Sequence, residues 1–211
     1  MKFKLVKNLP VWSIVLLAVG INSSARGQSP VDGIDARANT AELATQLGSP
    51  DPHVRQRSAE ALARLASTDQ RKIVEGYQLQ EKNKEVRLAL DWTLYRMGRS
   101  EALFRIVREL DSGRQQQAIG YLAELESPDM LYPYLKKDNN AARINAGLLK
   151  ALGKMGNAET LQIIEPYRES LQAYVAEAAE TAHDEIEKRL GQPDTAPTRV
   201  RPRSVEKPLN Q

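Results

Sequence analysis

Few side chains in this sequence of 211 residues have the type and spacing needed for acid–base or metal chemistry. There is no cysteine, and the histidines are His53 and His183. Glu180 precedes His183 by three residues, and this Glu-x-x-His spacing places both side chains on one helical face, as in the iron sites of helical bundles. Those sites need a second such motif, which the sequence lacks. We therefore predict no metal site and interpret the acidic residues around His183 as the solvated outer face of a terminal helix.

The common motifs of catalysis are also absent from the sequence. It contains no Gly-x-Ser-x-Gly, no His-Glu-x-x-His and no glycine-rich phosphate loop. An active site made of carboxylates alone would leave no such motif, because paired acids are recognised only by their tertiary contacts. We predict that the protein is not an enzyme and that it binds no cofactor.

The strongest candidate for recognition of a partner lies on a helix in the middle of the chain. Leu88, Trp92 and Tyr95 follow one another at i, i+4 and i+7, so they share a helical face, and Asp91 and Arg96 flank them. Aromatic residues with arginine are typical anchors of protein–protein interfaces. We therefore predict that these five residues bind another protein. The alternative is that a helix inside an array buries more than one face and that Trp92 packs against neighbouring helices.

A row of arginines stands at the starts of helices, and aspartates occupy the turns beside them. The arginines are Arg55, Arg87, Arg114 and Arg143, and the aspartates are Asp51, Asp111 and Asp138. Such a row could bind anions along one edge of the molecule. Arginine and aspartate at helix starts are also common capping and pairing devices, and the nearly equal numbers of acids and bases favour this structural interpretation.

The helices that position these residues recur at a period of about 30 residues, which indicates a repeat protein. Pro50 and Pro52 mark a turn, and Asp51 between them can accept hydrogen bonds from the open amides of the following helix. An apolar stripe begins at Val54 of that helix, and a similar stripe begins at Val86. The pattern predicts five helix pairs: 40–48 with 54–66, 69–80 with 85–98, 101–110 with 114–126, 130–137 with 141–155, and 158–170 with a helix that ends at 190.

The first complete repeat resembles a known family. Its sequence is Pro50-Asp51-Pro52-His53-Val54-Arg55 followed by Ala59-Glu60-Ala61-Leu62-Ala63-Arg64-Leu65, which is similar to the consensus of HEAT repeats, in particular the short variant of phycobilisome lyases. The resemblance implies an all-α, armadillo-type fold, an α-solenoid of about five two-helix HEAT-like repeats over residues 39–191. Most proteins of this kind are interaction scaffolds, so the implied function is protein binding on the concave surface. A carrier or lyase-like module for a small tetrapyrrole-type ligand is the alternative.

The two ends of the chain differ in composition from the helical part. Residues 1–25 combine lysines, an apolar run and small residues, which is the pattern of a secretory signal peptide, and residues 26–38 form a linker. Export to the bacterial periplasm or the extracellular space follows from this prediction. The alternative is an uncleaved signal that tethers a scaffold to the membrane. Residues 192–211 contain prolines and arginines without apolar periodicity, and we predict that they are disordered.

The charge distribution argues against a further class of partner. The net charge of +3 is matched by three lysines in residues 1–25, while residues 39–191 carry a slight excess of acids. A protein that binds nucleic acid needs a basic footprint on its folded part. We therefore predict an exported scaffold whose partner is another protein, with no nucleic acid bound and no membrane span after signal cleavage.

Overall fold

The computed structural model describes residues 39–137 and 140–191. All regular secondary structure in these ranges is helical, as the sequence predicts. No helix in this part of the chain combines the length and apolar content needed to cross a membrane. The predicted signal peptide, linker and C-terminal tail, together with Asp138, lie outside the described residues.

The helices follow one another through short connections. They are α1 (39–46), α2 (Pro52–Leu65), α3 (Arg71–Gln80), α4 (Lys84–Arg96), α5 (Ala102–Arg108), α6 (Gln115–Leu122), α7 (Tyr132–Leu135), α8 (Ala142–Met155), α9 (Ala158–Arg168) and α10 (Ala173–Leu190). Short 3-10 turns cover Thr68–Gln70, Glu109–Asp111 and Pro128–Met130.

The helix boundaries differ from the predicted ones mainly where 3-10 turns replace helical turns. Helix α3 begins at Arg71, after such a turn, and α5 ends at Arg108, before another. Helix α7 is a single turn that directly follows the 3-10 turn at Pro128–Met130, and Pro133 lies in its first turn, where the missing N–H is tolerated. The 3.6-residue apolar period does not distinguish a tight turn at a helix end from one more α-helical turn.

Side-chain caps fix the starts of two helices that matter for the candidate site. The Asp51 carboxylate accepts a hydrogen bond from the His53 amide at 2.9 Å, which confirms the predicted role of this turn residue. The Asn83 side chain accepts one from the Val86 amide at 3.0 Å. Each cap stabilises its helix by about 0.5–2 kcal/mol and determines where α2 and α4 begin.

The helices pack in the order of the predicted pairs. The second helix of each pair lies against the second helix of the next, so α2 contacts α4, α4 contacts α6, α6 contacts α8 and α8 contacts α10. The first helices lie against their own partners, with α3 on α4, α5 on α6, α7 on α8 and α9 on α10. Helix α5 also packs on α4, so that α4 has neighbours in α2, α3, α5 and α6.

Helix α4 is buried on more than one side. Its buried residues are Val86, Leu88, Ala89, Leu90, Asp91, Trp92, Thr93 and Leu94. The polar members of this set have partners on neighbouring helices. The Thr93 hydroxyl lies 2.7 Å from the Ala59 carbonyl oxygen on α2, and the Asp91 carboxylate accepts hydrogen bonds from Arg105 at 2.6 Å and Gln78 at 3.1 Å. Every buried side-chain polar atom in the described ranges has such a partner, as close packing in a low-dielectric interior requires.

Small residues allow α8 and α10 to approach closely. Gly153 of α8 faces Ala182 of α10, and a Cβ atom added at Gly153 would lie 2.9 Å from the Ala182 Cα atom. That separation is well inside the normal contact distance of two carbon atoms. Because the chain has no cysteine, contacts of this kind hold the helices together without disulfides.

A bidentate ion pair connects the first helix pair with the second. The Arg55 guanidinium donates to both Glu81 carboxylate oxygens, at 2.8 Å and 3.0 Å, and also to the carbonyl oxygens of Ser49 and Pro50. The Glu81 side chain is 7% exposed and the Arg55 side chain 18%. The Arg55 hydrogen bond lowers the pKa of Glu81 from its ordinary value of 4.5, and the Asn83 amide acts in the same direction. Arg55 therefore joins the turn before α2 to the turn before α4.

We predict that Gly153→Ala destabilises the protein by about 1–3 kcal/mol, because the added methyl group meets the backbone of α10. The matched control is Gly120→Ala in α6, where a Cβ atom would meet nothing within 4 Å. The free energy of unfolding of the Gly120→Ala variant should rise by up to about 1 kcal/mol, because alanine has a higher helix propensity than glycine. Urea unfolding of both variants measures the difference, and a stabilising Gly153→Ala would contradict the close approach.

We predict that Glu81→Gln lowers the free energy of unfolding by roughly 1–3 kcal/mol at pH 7, because a charge-assisted bidentate pair is lost. Since the pKa of Glu81 is lowered on folding, its contribution is present above pH 4.5 and is lost as the pH falls through the lowered pKa. The difference between the variant and the wild type should therefore shrink at low pH. Glu75→Gln is the control, because the Glu75–Arg99 pair is 31% and 46% exposed and should contribute less than about 1 kcal/mol. Chemical denaturation at several pH values checks both, and equal effects would refute a special role for Glu81.

Candidate functional site: an aromatic face on three helices

The five residues predicted to bind a partner do not share one exposed face. Leu88, Asp91 and Trp92 are 2%, 6% and 3% exposed, so their side chains belong to the interior. Tyr95 and Arg96 are half-buried and reach the surface. The packing alternative therefore describes Trp92, and the accessible part of the predicted patch is reduced to Tyr95 and Arg96. The physical reason is that four helices pack on α4: α2 and α6 lie on the side of Trp92, while Gln78 of α3 and Arg105 of α5 contact Asp91.

Trp92 lies inside a stack of aromatic rings. The Tyr121 ring is parallel to it within 1°, with centroids 5.5 Å apart, and the Tyr95 ring lies at 5.6 Å and 18°. The Arg96 guanidinium lies 5.6 Å from the Trp92 ring centroid, within the range of a cation–π contact. Tyr121 is a member of this site that is not among the five residues predicted from the sequence. The available signal was that Tyr121 follows Trp92 by about one period of the repeat.

The Tyr121 hydroxyl connects α6 with α2 across the edge of α4. It donates a hydrogen bond to the Glu60 carboxylate at 2.6 Å and accepts one from the Gln117 amide at 2.9 Å. Burial is the main reason that the pKa of Tyr121 is strongly raised, and the nearby Glu60 charge adds to the effect. Tyr121 therefore remains protonated at physiological pH, which keeps it a donor to Glu60.

Two cavities of about 250 Å³ each open beside this stack. The first is lined by Glu60, Arg64, Trp92, Gln117, Gly120, Tyr121 and Glu124. The second is lined by Tyr95, Arg96, Gly98, Ser100, Leu125, Glu126 and Met130. We call the surface that contains both cavities the aromatic face. It spans α2, α4 and α6 and continues into the segment that follows α6.

The second cavity has the apolar floor and the polar rim of a side-chain binding pocket. Tyr95 donates its hydroxyl to the Met130 sulfur at 2.9 Å, and Met130 is 43% exposed. Leu125 is buried beneath them, while Glu126 is exposed at the rim. Methionine adapts its shape to an inserted group more easily than branched side chains do. The arrangement can accept an apolar side chain with a basic neighbour.

The row of arginines is mostly internal. Besides Arg55, the Arg143 guanidinium donates to the Ser112 carbonyl oxygen at 3.1 Å, in the turn of the preceding helix pair. Arg114 donates to the Glu109 carboxylate at 2.8 Å. These contacts support the structural interpretation for three of the four arginines. Arg87 is different, because no hydrogen bond or ion pair forms at its side chain within the described ranges.

The Glu-x-x-His pair on α10 is not arranged to bind a metal together. Glu180 accepts hydrogen bonds from Arg168 at 2.6 Å and 3.3 Å. Potential ligand atoms of His183, Asp184 and Glu187 do lie within 4.8 Å of one another. Asp184 and Glu187 are exposed, as expected of the outer face of a terminal helix.

No protein-family model matches the chain, and a search of curated proteins finds no significant match. Function is therefore inferred from the geometry of the side chains. Within the described ranges, the aromatic face combines accessible apolar side chains with a polar rim on three helices.

We predict that Trp92→Ala destabilises the protein by about 3–5 kcal/mol, because it removes a buried indole from between two stacked rings. Phe104→Ala is the control, since Phe104 is 45% exposed on α5 and should cost less than about 1 kcal/mol. Urea unfolding followed by circular dichroism measures both. Equal, small effects would show that Trp92 lies at the surface in solution.

Proposed function

We propose that the protein is an exported, non-enzymatic α-solenoid of about five HEAT-like repeats that binds another protein through its concave surface. The order of helix contacts supports the solenoid, because second helices lie side by side in chain order and the first helices of the second to fifth pairs pack on their own partners. The signal-like pattern of residues 1–25 and the absence of cysteine support export of a domain that depends on packing alone.

The observation that carries this proposal is that the aromatic face crosses three successive second helices. In solenoids of helix pairs, the second helices usually line the concave surface, where partners bind. The face presents Tyr95 and Met130 at its surface, and both rest on buried neighbours. Rigid aromatic anchors over a packed base are typical of the central residues of protein interfaces.

The side chains of the aromatic face indicate the kind of protein segment that it binds. The cavity beside Tyr95 and Met130 fits an apolar side chain, and the exposed carboxylates of Glu124 and Glu126 fit a basic residue next to it. The Arg96 guanidinium lies over the Trp92 ring and can donate hydrogen bonds to an acidic group at the edge of the aromatic face. We therefore expect a protein segment with one apolar anchor and a neighbouring lysine or arginine.

The test replaces Tyr95 with the photo-crosslinking amino acid p-benzoylphenylalanine in the organism that makes the protein. Irradiation followed by mass spectrometry identifies the crosslinked partner. Phe104 is the matched control position, because it is aromatic and 45% exposed but lies on α5, outside the aromatic face. We expect a crosslinked partner from position 95 and none of the same mass from position 104.

Binding of the identified partner is then measured with purified proteins. Met130→Arg should weaken the complex by at least about tenfold, because a charge enters the apolar cavity, whereas Phe104→Ala should leave it unchanged. Unaltered affinity of the Met130→Arg variant, or crosslinking of the same partner from both positions, would refute binding at the aromatic face.

A further inference from the structure

A cavity of about 510 Å³ lies between α3, α4 and α5, next to the buried Asp91. Its volume is in the range of small-molecule sites. Three of the side chains that line it are arginines: Arg87 from α4 and Arg105 and Arg108 from α5. It shares no lining residue with the aromatic face, and its function does not depend on the proposal above.

The two carboxylates in this cavity already have cationic partners. Asp91 accepts a hydrogen bond from the Arg105 Nε atom at 2.6 Å. Glu109 accepts one at 2.8 Å from Arg114, which does not line the cavity. Each carboxylate is therefore already hydrogen-bonded to one arginine. Arg87 interacts electrostatically with both carboxylates but forms no hydrogen bond or ion pair with them. Three arginines and two carboxylates line the cavity, so positive charge is in excess there.

Arg87 and Arg108 are the two arginines of the cavity whose side chains have unused hydrogen-bond donors throughout. Within residues 39–137 and 140–191, neither side chain forms a hydrogen bond or an ion pair. The Arg108 guanidinium lies 5.9 Å from the Phe104 ring centroid, which leaves its N–H groups available. Arg105 uses Nε for Asp91, and its terminal nitrogens make no further hydrogen bond in that part of the chain. The cavity is thus lined by three guanidinium groups with unused donors.

Arg87 differs from the arginines at the same position of the other helix pairs, because it has no hydrogen-bond partner in the described part of the chain. Its equivalents Arg55 and Arg143 reach the turns of adjacent helix pairs, and Arg114 is bound by Glu109. The turn before α4 has Asn83 as its capping residue, and its acid, Glu81, is bound by Arg55, so it is not available to Arg87. Arg87 is half-buried, and because buried side-chain polar atoms in the described ranges all have partners, its unpaired N–H groups are accessible to an anion that enters the cavity.

We propose that this cavity binds a small oxyanion, a phosphate or carboxylate group, through Arg87, Arg105 and Arg108. Planar guanidinium groups recognise such groups by pairs of parallel N–H···O hydrogen bonds. Asp91 is a positioning residue in this site, because it binds Arg105 through Nε and leaves the terminal nitrogens of that side chain free to donate to an anion.

The test is isothermal titration of the full chain with inorganic phosphate, pyrophosphate and citrate, at an ionic strength held constant with chloride. We expect saturable binding at one site for at least one of these probes. Tighter binding of pyrophosphate than of citrate assigns a phosphate ligand, and the reverse order assigns a carboxylate. Arg87→Gln and Arg108→Gln should each weaken binding by about tenfold or more.

Arg57→Gln is the matched control, because Arg57 is an exposed arginine of α2 that does not line the cavity. It removes the same charge and should leave the affinity unchanged. Circular dichroism of each variant verifies folding, and Arg105 is left intact so that Asp91 keeps its partner. A second measurement is the rise in melting temperature with the same probes, which should be smaller in the two cavity variants. Absence of saturable binding by all three probes, or an equal loss in Arg57→Gln, would overturn the proposal.

Discussion

The burial of α4 on nearly all sides is the constraint on which the rest of the described structure depends. A helix that is apolar on one stripe can lie on a surface, whereas α4 must be covered by α2, α3, α5 and α6 together. Its buried polar groups also require hydrogen-bond partners on particular neighbouring helices. Thr93 needs the Ala59 carbonyl oxygen on α2, and Asp91 needs Arg105 on α5. Hydrogen bonds of this kind determine which neighbour lies on which side, since a buried polar group without a partner costs about 1–3 kcal/mol.

The same constraint divides the surface around α4 into two chemically different regions. On the side of α2 and α6, the Trp92 ring is covered by Tyr121 and Tyr95, and the accessible residues are aromatic or apolar with an acidic rim. On the side of α3 and α5, Asp91 holds Arg105 at the wall of a cavity rich in arginine. One helix thus supports a surface suited to a protein segment and a cavity suited to a small anion. Neither region contains a residue of the other.

The sequence was sufficient to predict the helices and their pairing but not the accessibility of individual side chains. Apolar stripes at 3.6-residue spacing locate α2, α4, α8 and α10 within a few residues, because the stripe is a local property. The exposure of Trp92 depends on how closely α2 and α6 approach, which no local pattern records. The role of Tyr121 depends on the register between α4 and α6. That Arg87 forms no hydrogen bond in the part of the chain that the structure describes stands out only once the partners of Arg55, Arg114 and Arg143 are known.

The hydrogen bond between Tyr121 and Glu60 has a consequence for the cooperativity of unfolding. In an array where each helix pair contacts only its neighbours, the terminal pair can open alone, and stability is a sum of nearest-neighbour energies. This bond joins the third pair to the first and passes over the second, so the first pair cannot detach without also breaking a hydrogen bond to the residue that stacks on Trp92. The bond therefore adds a coupling of about 1–3 kcal/mol between pairs that are not neighbours, which raises the cost of opening the first pair alone.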